Sequence, residues 1–395
     1  MKICYVVYRE DNVMVFDSQV LEYLKIMRDK VEHIELVVFR HEKNMFHKAE
    51  LEKKILEYVD ECTTFASLPV LAVSQLQIAA LRLRNHAQKK YMNEQVAVIC
   101  RGDLAAYVAS KAFANVEGSR ILFDNRGLPQ EESILSHGDQ WIHKRNRRIK
   151  AFAMNYAKDH CDAYNFVTTN LREYDIERYG YKRELPYSII PTLFKNDVVD
   201  DIGLERIKHD EHCKDNDFIV TYIGSTAAWQ STGDLLGIIQ RIYHNIPMAR
   251  FFILTNGTIP ELQRLQDELR QRIVVKKVPH NDVKYYLRIT DVGIVIRDNN
   301  IVNHVAAPTK IAEYVTSGVQ LLYSGSIGIL ADLSKIKDND NMIELDKTAD
   351  WEKLLKKRND TEDVSVYVDY FDMAKRQLDT LKLLEDCFGR RKCEV

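Results

Sequence analysis

Lys310 and Glu313 stand three residues apart, just after Pro308, among Ile311, Ala312, Tyr314 and Val315. On a helix this spacing sets an ammonium and a carboxylate one turn apart on one face, which on a solvated surface is worth roughly 0.2–0.5 kcal/mol. The apolar neighbours argue for a buried helix instead, where a charged pair needs a ligand or partner. The run Asp291-Val-Gly-Ile-Val-Ile296 immediately upstream reads as a buried strand, and Arg297 follows it. A helix start beyond a strand's carboxyl end attracts phosphate, and a carboxylate there accepts hydrogen bonds from a ribose diol. The expected ligand is phosphorylated and hydroxyl-bearing, as a nucleotide sugar is. Gly318 closes the helix.

Other strand ends carry weaker signals. Val220-Thr-Tyr-Ile-Gly-Ser-Thr-Ala-Ala-Trp-Gln-Ser-Thr-Gly233 runs from a strand into a loop whose Gly224 and Ser225 can approach a diphosphate. Its plainer reading is a strand-to-helix turn with Ser or Thr as the cap. In Ile121-Leu-Phe-Asp-Asn-Arg-Gly-Leu-Pro-Gln-Glu-Glu132, Asp124 can act as a base or orient an acceptor hydroxyl, and Arg126 can hold an anion. The alternative is a mutual ion pair that closes the loop. Arg101 also follows a strand. The stretch Trp141–Lys150 places five Lys or Arg beside Trp141 and Ile142. It reads either as a solvated helix face or as a peripheral contact with anionic membrane headgroups.

Several function classes are disfavoured. No Gly-x-Gly-x-x-Gly follows the first strand, since Arg9–Ser18 holds no glycine, so a nicotinamide or flavin dehydrogenase is not expected. There is no Walker loop and no His-Glu-x-x-His. The seven cysteines are scattered, with no Cys-x-x-Cys, and the twelve histidines show no ligand spacing, so neither a disulfide framework nor a metal site is expected. A formal net charge of −2 gives no reason to expect nucleic acid. No run of eighteen apolar residues exists, and MKICYVVYRE lacks a signal-peptide core, so the expected location is cytoplasmic, at most peripheral on the inner face of a membrane.

These residues need rigid elements beneath them. Ile3–Tyr8, Ile34–Phe39, Val96–Cys100, Ile121–Phe123 and Tyr164–Thr168 read as short apolar strands with helices between. Phe218–Ile223, Arg250–Leu254, Ile273–Val278, Val292–Ile296 and Val319–Tyr323 form a second series. Such runs predict parallel sheets covered on both faces. Two series in 395 residues predict an α/β chain of two Rossmann-like, doubly wound domains facing a crevice. The predicted boundaries are 1–192 and 193–366, with a linker and surface helix in Lys195–Asn216. Apolar residues recur every three or four positions from Tyr370 to Leu384, so 367–395 is expected to be a helix packing back on the N-terminal domain.

The chain resembles the retaining family 4 glycosyltransferases of the two-domain GT-B fold, especially bacterial members that build surface polysaccharides. Asp124-Asn-Arg-Gly…Glu132, Val167-Thr-Thr-Asn-Leu171, Ile190-Pro191, Tyr222-Ile-Gly-Ser…Gln230 and Pro308-Thr-Lys-Ile-Ala-Glu-Tyr…Gly318 carry the resemblance in order along nearly the whole chain. It implies a C-terminal domain holding a nucleotide-diphosphate sugar. Glu313 would bond the ribose, Arg297 and Lys310 would face the diphosphate with Gly224, Ser225 and Gln230 beside it, and the base would lie near Pro279. The N-terminal domain would bind a glycan or lipid-linked acceptor, with Arg101 and Glu132 on that side and Asp124 and Arg126 facing the sugar. No cofactor and no metal are implied, the nucleotide sugar being a co-substrate. Two departures stand out. Val305 occupies the place of a first glutamate, with Asn303 and Arg297 as candidate compensation, and the Arg and Lys usual after the second domain's first strand are missing. A nucleotide-sugar 2-epimerase and a non-catalytic sugar-nucleotide-binding subunit are the alternatives.

Overall fold

A computed structural model describes residues 1–10, 12–41, 48–138, 140–193, 199–214, 216–224, 232–337, 341–345, 354 and 364–389. The chain divides into two compact units, Met1–Pro191 with Met373–Val395, and Thr192–Asp372.

The first unit is a seven-stranded sheet in the order β3-β2-β1-β4-β5-β6-β7. Its strands are β1 (Lys2–Tyr8), β2 (His33–His41), β3 (Glu61–Ser67), β4 (Val96–Arg101), β5 (Ser119–Asn125), β6 (Ala163–Phe166) and β7 (Tyr187–Ile189). Every pairing is parallel, with Lys2 opposite His33 on one side and Val96 on the other. Ile3 to Val7, Val96 to Cys100 and Leu122 to Phe123 are buried, as strands covered on both faces must be. The helices that matter below are α1 (Glu22–Arg28), α2 (Val73–Tyr91), α3 (Asp103–Phe113), α4 (Pro129–His137) and α5 (Trp141–His160).

One carboxylate lies inside this core. Glu35 of β2 accepts hydrogen bonds from Thr63 (2.6 Å), His86 (2.8 Å) and Tyr91 (2.5 Å), and Lys90 lies 3.1 Å away. Burial alone would push its carboxyl up, but the bonds from His86, Thr63 and Tyr91 outweigh burial and hold it at about 2.

The second unit is a six-stranded parallel sheet in the order β10-β9-β8-β11-β12-β13. Its strands are β8 (Phe218–Ile223), β9 (Ala249–Leu254), β10 (Ile273–Lys276), β11 (Val292–Ile296), β12 (Gln320–Ser324) and β13 (Met342–Glu344). Phe218, Val220, Phe251, Ile253, Val292 and Ile294 pack with Leu235, Ile239 and Ile242 of helix α6 (Thr232–Asn245) into one core. The site helices are α7 (Ile301–Val305) and α8 (Thr309–Thr316).

The C-terminal segment is two helices, α9 (Ser365–Phe371) and α10 (Met373–Gly389). Asp372 between them is extended, with φ −62° and ψ 118°, and the chain changes unit there. Tyr367 and Phe371 of α9 are buried within the second unit, and the return to the first unit begins at Met373. Helix α10 packs on the first unit and is tied to it by hydrogen bonds. Gln377 donates to the Tyr23 carbonyl, Tyr23 Oη and Asn165 Nδ2 both meet Thr380 Oγ1 (3.0 and 3.4 Å), and Arg120 Nε donates to the Cys387 carbonyl (2.9 Å).

The Glu35 network predicts an acid limb. A carboxyl held at about 2 when folded, against an ordinary 4.5, contributes stability that is fully present above pH 4.5 and lost as pH falls towards 2. The contribution is on the order of 3 kcal/mol. Denaturant unfolding of Glu35→Gln against wild type at stepped pH should show lower stability at neutral pH and a flatter acid limb. Parallel limbs would contradict the assignment.

Candidate functional site

In each sheet the winding reverses once, between β8 and β11 in the second unit and between β1 and β4 in the first. Loops leaving the strand ends diverge there, which is where open α/β sheets bind ligands.

In the second unit, Gly224 directly follows β8 and donates its N–H to the Leu254 carbonyl (3.1 Å). Arg297 directly follows the neighbouring β11 and donates its N–H to the Ser324 carbonyl (3.2 Å). Gly325, with φ +75°, lets the loop after β12 press against this segment. A Cβ there would stand 1.9 Å from the Arg297 carbonyl oxygen. The Arg297 guanidinium is largely enclosed. Burial lowers its pKa, partly offset by Tyr222, and among the described residues it makes no ion pair or hydrogen bond. A largely buried guanidinium at a strand end, without an ion pair among the described residues, has the chemistry to hold an anion.

Helix α8 carries the other half. Pro308 precedes its first turn without a side-chain cap, which leaves the N-terminal N–H groups open. Glu313 is 2% exposed, and Lys310 Nζ spans its two carboxylate oxygens at 3.1 and 3.3 Å. The next residue fixes the helix. Tyr314 Oη donates to the Thr221 carbonyl and accepts from the Ile223 N–H, both at 3.1 Å, while its ring lies over Gly293 of β11. A Cβ at Gly293 would meet that ring at 2.4 Å. The absent side chain is therefore the ring's berth, and Glu313 is set beside the end of β8 by its neighbour's anchorage.

Asn303 is turned to structural use. It is buried, donates its backbone N–H to Asn300 Oδ1 (3.0 Å) and its Nδ2 to the Asp298 carbonyl (3.0 Å). Val305 is buried. Pro279 is exposed and opens the helix that follows β10, two strands from β8. Ser225 and Gln230 lie outside the described residues.

In the first unit, Asp124 at the end of β5 is held between two guanidiniums, Arg101 at 3.5 Å and Arg126 at 3.4 Å. Arg126 also donates to the carbonyls of Ile190 (3.0 Å) and Pro191 (3.4 Å). This is the loop-closing ion pair the sequence left open beside a base role, and both Asp124 oxygens are engaged. Burial would lower the pKa of Arg101, but Tyr5 and Asp124 raise it on balance, while burial pushes the Tyr5 phenol up to about 12. Glu132 keeps an exposed face, yet partial burial pushes its carboxyl up.

A cavity of about 510 Å3 opens at the β1/β4 switch, and Arg101 and Arg126 line it. Asp103, Asn146 and Lys150 line it too. Asp103 and Asn146 carry no such signal in the sequence, although Asp103 opens a helix directly after a strand, and Lys150 stands out there only as part of the basic stretch Trp141–Lys150. Burial pushes the Asp103 carboxyl up, with Lys150 opposing. Among the described residues no three His, Cys, Asp or Glu gather as a metal site, and no helix is long and apolar enough to cross a membrane.

No family model matches the chain, and no curated protein matches it in sequence. Solved structures do. HepE of Anabaena, in complex with UDP, is 14% identical with a TM-score of 0.66, covering 97% of this chain and 100% of that one. A glycosyltransferase from Rickettsia africae is 12% identical with a TM-score of 0.67, covering 99% of each chain. An α,α-trehalose-phosphate synthase (UDP-forming) from Burkholderia vietnamiensis is 13% identical with a TM-score of 0.57, covering 98% of this chain and 99% of that one. The fold is GT-B. The two units are thus its two Rossmann-like domains, and α10 belongs to the first.

The berth at Gly293 is directly testable. Gly293→Ala should destabilise the chain by about 1–3 kcal/mol through overpacking against Tyr314, read as a lower thermal midpoint. Tyr314→Phe removes only the two hydroxyl bonds, so its midpoint should fall less. A Gly293→Ala midpoint equal to wild type would mean the ring is not seated on the strand.

Proposed function

We propose that the chain is a retaining glycosyltransferase of the family 4 type, using a uridine-diphosphate sugar as donor. The observation that carries this reading is the constellation at the β8/β11 switch. It holds Arg297, desolvated and without an ion pair among the described residues, the open N-terminus of α8, and a buried Glu313 whose carboxylate pairs with Lys310. The GT-B relatives support it from outside, since HepE binds UDP and, in another structure, UDP-glucose.

In this reading Glu313 accepts the ribose hydroxyls. Lys310 leaves the carboxylate for the diphosphate, where Arg297 and the helix N-terminus share the charge, with Gly224, Ser225 and Gln230 beside it. The uracil lies towards Pro279. Asn303 keeps Asp298 and the Arg297 loop in place. Attack comes from the donor's own face. The acceptor oxygen bonds to the anomeric carbon, the bond from that carbon to the phosphate oxygen breaks, and the acceptor proton passes to the departing diphosphate. Two cations and a helix end stabilise that leaving group, so no metal is required. Asp124 serves in the first unit by holding Arg101 and Arg126 towards the acceptor, with Glu132 beside them.

The acceptor is a glycan or lipid-linked sugar of bacterial surface-polysaccharide synthesis. Helix α5 supports a peripheral contact. Trp141 is 71% exposed, with Ile142, Lys144, Arg145, Arg148 and Phe152 also exposed, and Ile134 and Leu135 of α4 are exposed before it. An apolar and basic surface of this kind suits anionic headgroups. A second reading, sugar-nucleotide binding without transfer, draws on Val305, which puts a buried apolar side chain where the resemblance calls for a glutamate.

Two experiments test these roles. Glu313→Ala should weaken UDP-glucose binding by roughly 10–100-fold, the loss of charge-assisted bonds to the ribose, measured by calorimetry and by UDP release. Unchanged affinity and rate would sink the donor site, and binding without turnover against a broad acceptor panel would favour the second reading. Vesicles of phosphatidylglycerol should retain the wild-type chain in flotation and lose it for Trp141→Ser/Arg145→Ser/Arg148→Ser. Equal flotation of both would remove the membrane contact.

A further inference from the structure

Glu35 and Asp175 of the first unit are both 0% exposed, yet their surroundings are opposite. Glu35 meets three hydrogen-bond donors with Lys90 beside it. Asp175, in the helix Thr169–Tyr179, accepts one side-chain bond, from Asn125 Nδ2 to its Oδ2 at 2.6 Å. Its Oδ1 is buried and makes no hydrogen bond among the described residues. The charge that acts on it is a like one, Glu131 of α4, whose Oε2 is also buried without a partner. Tyr164 of β6, Tyr179 at the helix end and Tyr181 beyond it feel the same carboxyl, and no cation among the described residues opposes it. Burial therefore pushes the Asp175 carboxyl well above its ordinary 3.8, against the weaker pull of Asn125.

The backbone that carries Asp175 is fixed at both ends. Thr168 caps the helix start by accepting the Leu171 N–H at 3.0 Å, and Gly180, with φ +68°, closes its end. The Asp175 carbonyl accepts the Tyr181 N–H at 3.5 Å. The side chain thus presents a set acceptor to β5. Asn125, the last residue of β5 and 2% exposed, uses both ends of its amide. Its Nδ2 donates to Asp175, and its Oδ1 accepts the Gly127 N–H at 3.3 Å. Those two bonds flank Arg126, which from there reaches Asp124 and the carbonyls of Ile190 and Pro191. A neutral acid suits this arrangement, since Oδ2 accepts from Asn125 while a proton on Oδ1 adds a donor beside unmatched acceptors. An ionised Asp175 would instead be a buried charge without a cation, and its demand for water would draw the side chain off Asn125.

We infer that Asp175 is a positioning residue that sets Arg126 through Asn125, and that it holds this turn only while its carboxyl carries a proton. Raising the pH removes that proton and releases the turn. That Arg126 then serves a transfer reaction rests on the glycosyltransferase reading. The hold of Asp175 on the turn does not.

Hydrogen exchange of the full chain, followed by mass spectrometry and corrected for the intrinsic effect of pH, reads the turn in peptides covering Asn125–Leu128. Wild-type exchange there should speed up from neutral to alkaline pH. Asp175→Asn keeps an acceptor for Asn125 and has no proton to lose, so its exchange should stay slow throughout. Asp175→Leu leaves the Asn125 amide without its acceptor, so exchange should be faster by about tenfold or more already at neutral pH. The thermal midpoint gives a second reading. A carboxyl raised by folding makes the native state bind the extra proton, so the wild type should lose stability against Asp175→Asn as pH climbs above 3.8. The inference is overturned if wild type and Asp175→Asn exchange alike at alkaline pH, or if a folded Asp175→Leu exchanges as slowly as wild type. Should Asp175→Leu misfold, the Asp175→Asn comparison decides alone. UDP release from UDP-glucose, measured in parallel, should fall at alkaline pH in the wild type and not in Asp175→Asn, with UDP-glucose affinity equal in both. An equal fall in both would place the proton elsewhere and contradict the inference. No turnover by either would sink the transferase reading and leave the exchange result to decide this one.

Discussion

Every strand pairing in the two sheets is parallel, so each connection crosses a face of its sheet and every carboxyl end emerges on the same side of its unit. Where the winding changes direction, successive loops part and leave ground that no connection covers. That ground lies between β1 and β4 in one unit and between β8 and β11 in the other. Arg297 in the second unit, and Asp103 and Asn146 in the first, lie there, each with a polar group unmatched among the described residues. Glu35, a buried charge within the first sheet, is by contrast met by Thr63, His86 and Tyr91.

At the β8/β11 switch, one glycine of β11 fixes where a helix is held. Gly293 vacates the space over β11, the Tyr314 ring fills it, and the ring's hydroxyl ties α8 to the end of β8. Glu313 is therefore presented by packing, and Lys310 neutralises it meanwhile. A carboxylate this buried would be costly alone, and the half-exposed Lys310 offsets that cost.

The sequence showed strands where both faces are buried, because such strands are continuous apolar runs. It missed β3, β7 and β13, which are edge strands, half-exposed or only three residues long, and so lack that signal. The C-terminal periodicity was legible but not its interruption at Asp372, since packing against α8 on one side and Tyr23 on the other sets the break. Lys310 and Glu313 were legible because charges among apolar residues stand out. Asp124 was legible as charged but not as paired, for Arg101 reaches it from another strand. Asp103, Asn146 and Lys150 converge from two helices, and only the fold brings them together. Gly293 carried a readable hint, as a glycine inside a strand marks a close approach, but its partner could not be named.

The central claim is that the β8/β11 switch binds the nucleotide of a sugar donor through Glu313 and Arg297. A crystal structure of the chain with UDP tests it most directly. The account predicts both ribose hydroxyls within hydrogen-bond distance of the Glu313 carboxylate, the diphosphate against Arg297 and the first turn of α8, and Lys310 moved off Glu313. UDP bound elsewhere, or bound here with Lys310 and Glu313 still paired and the ribose away from them, would contradict it.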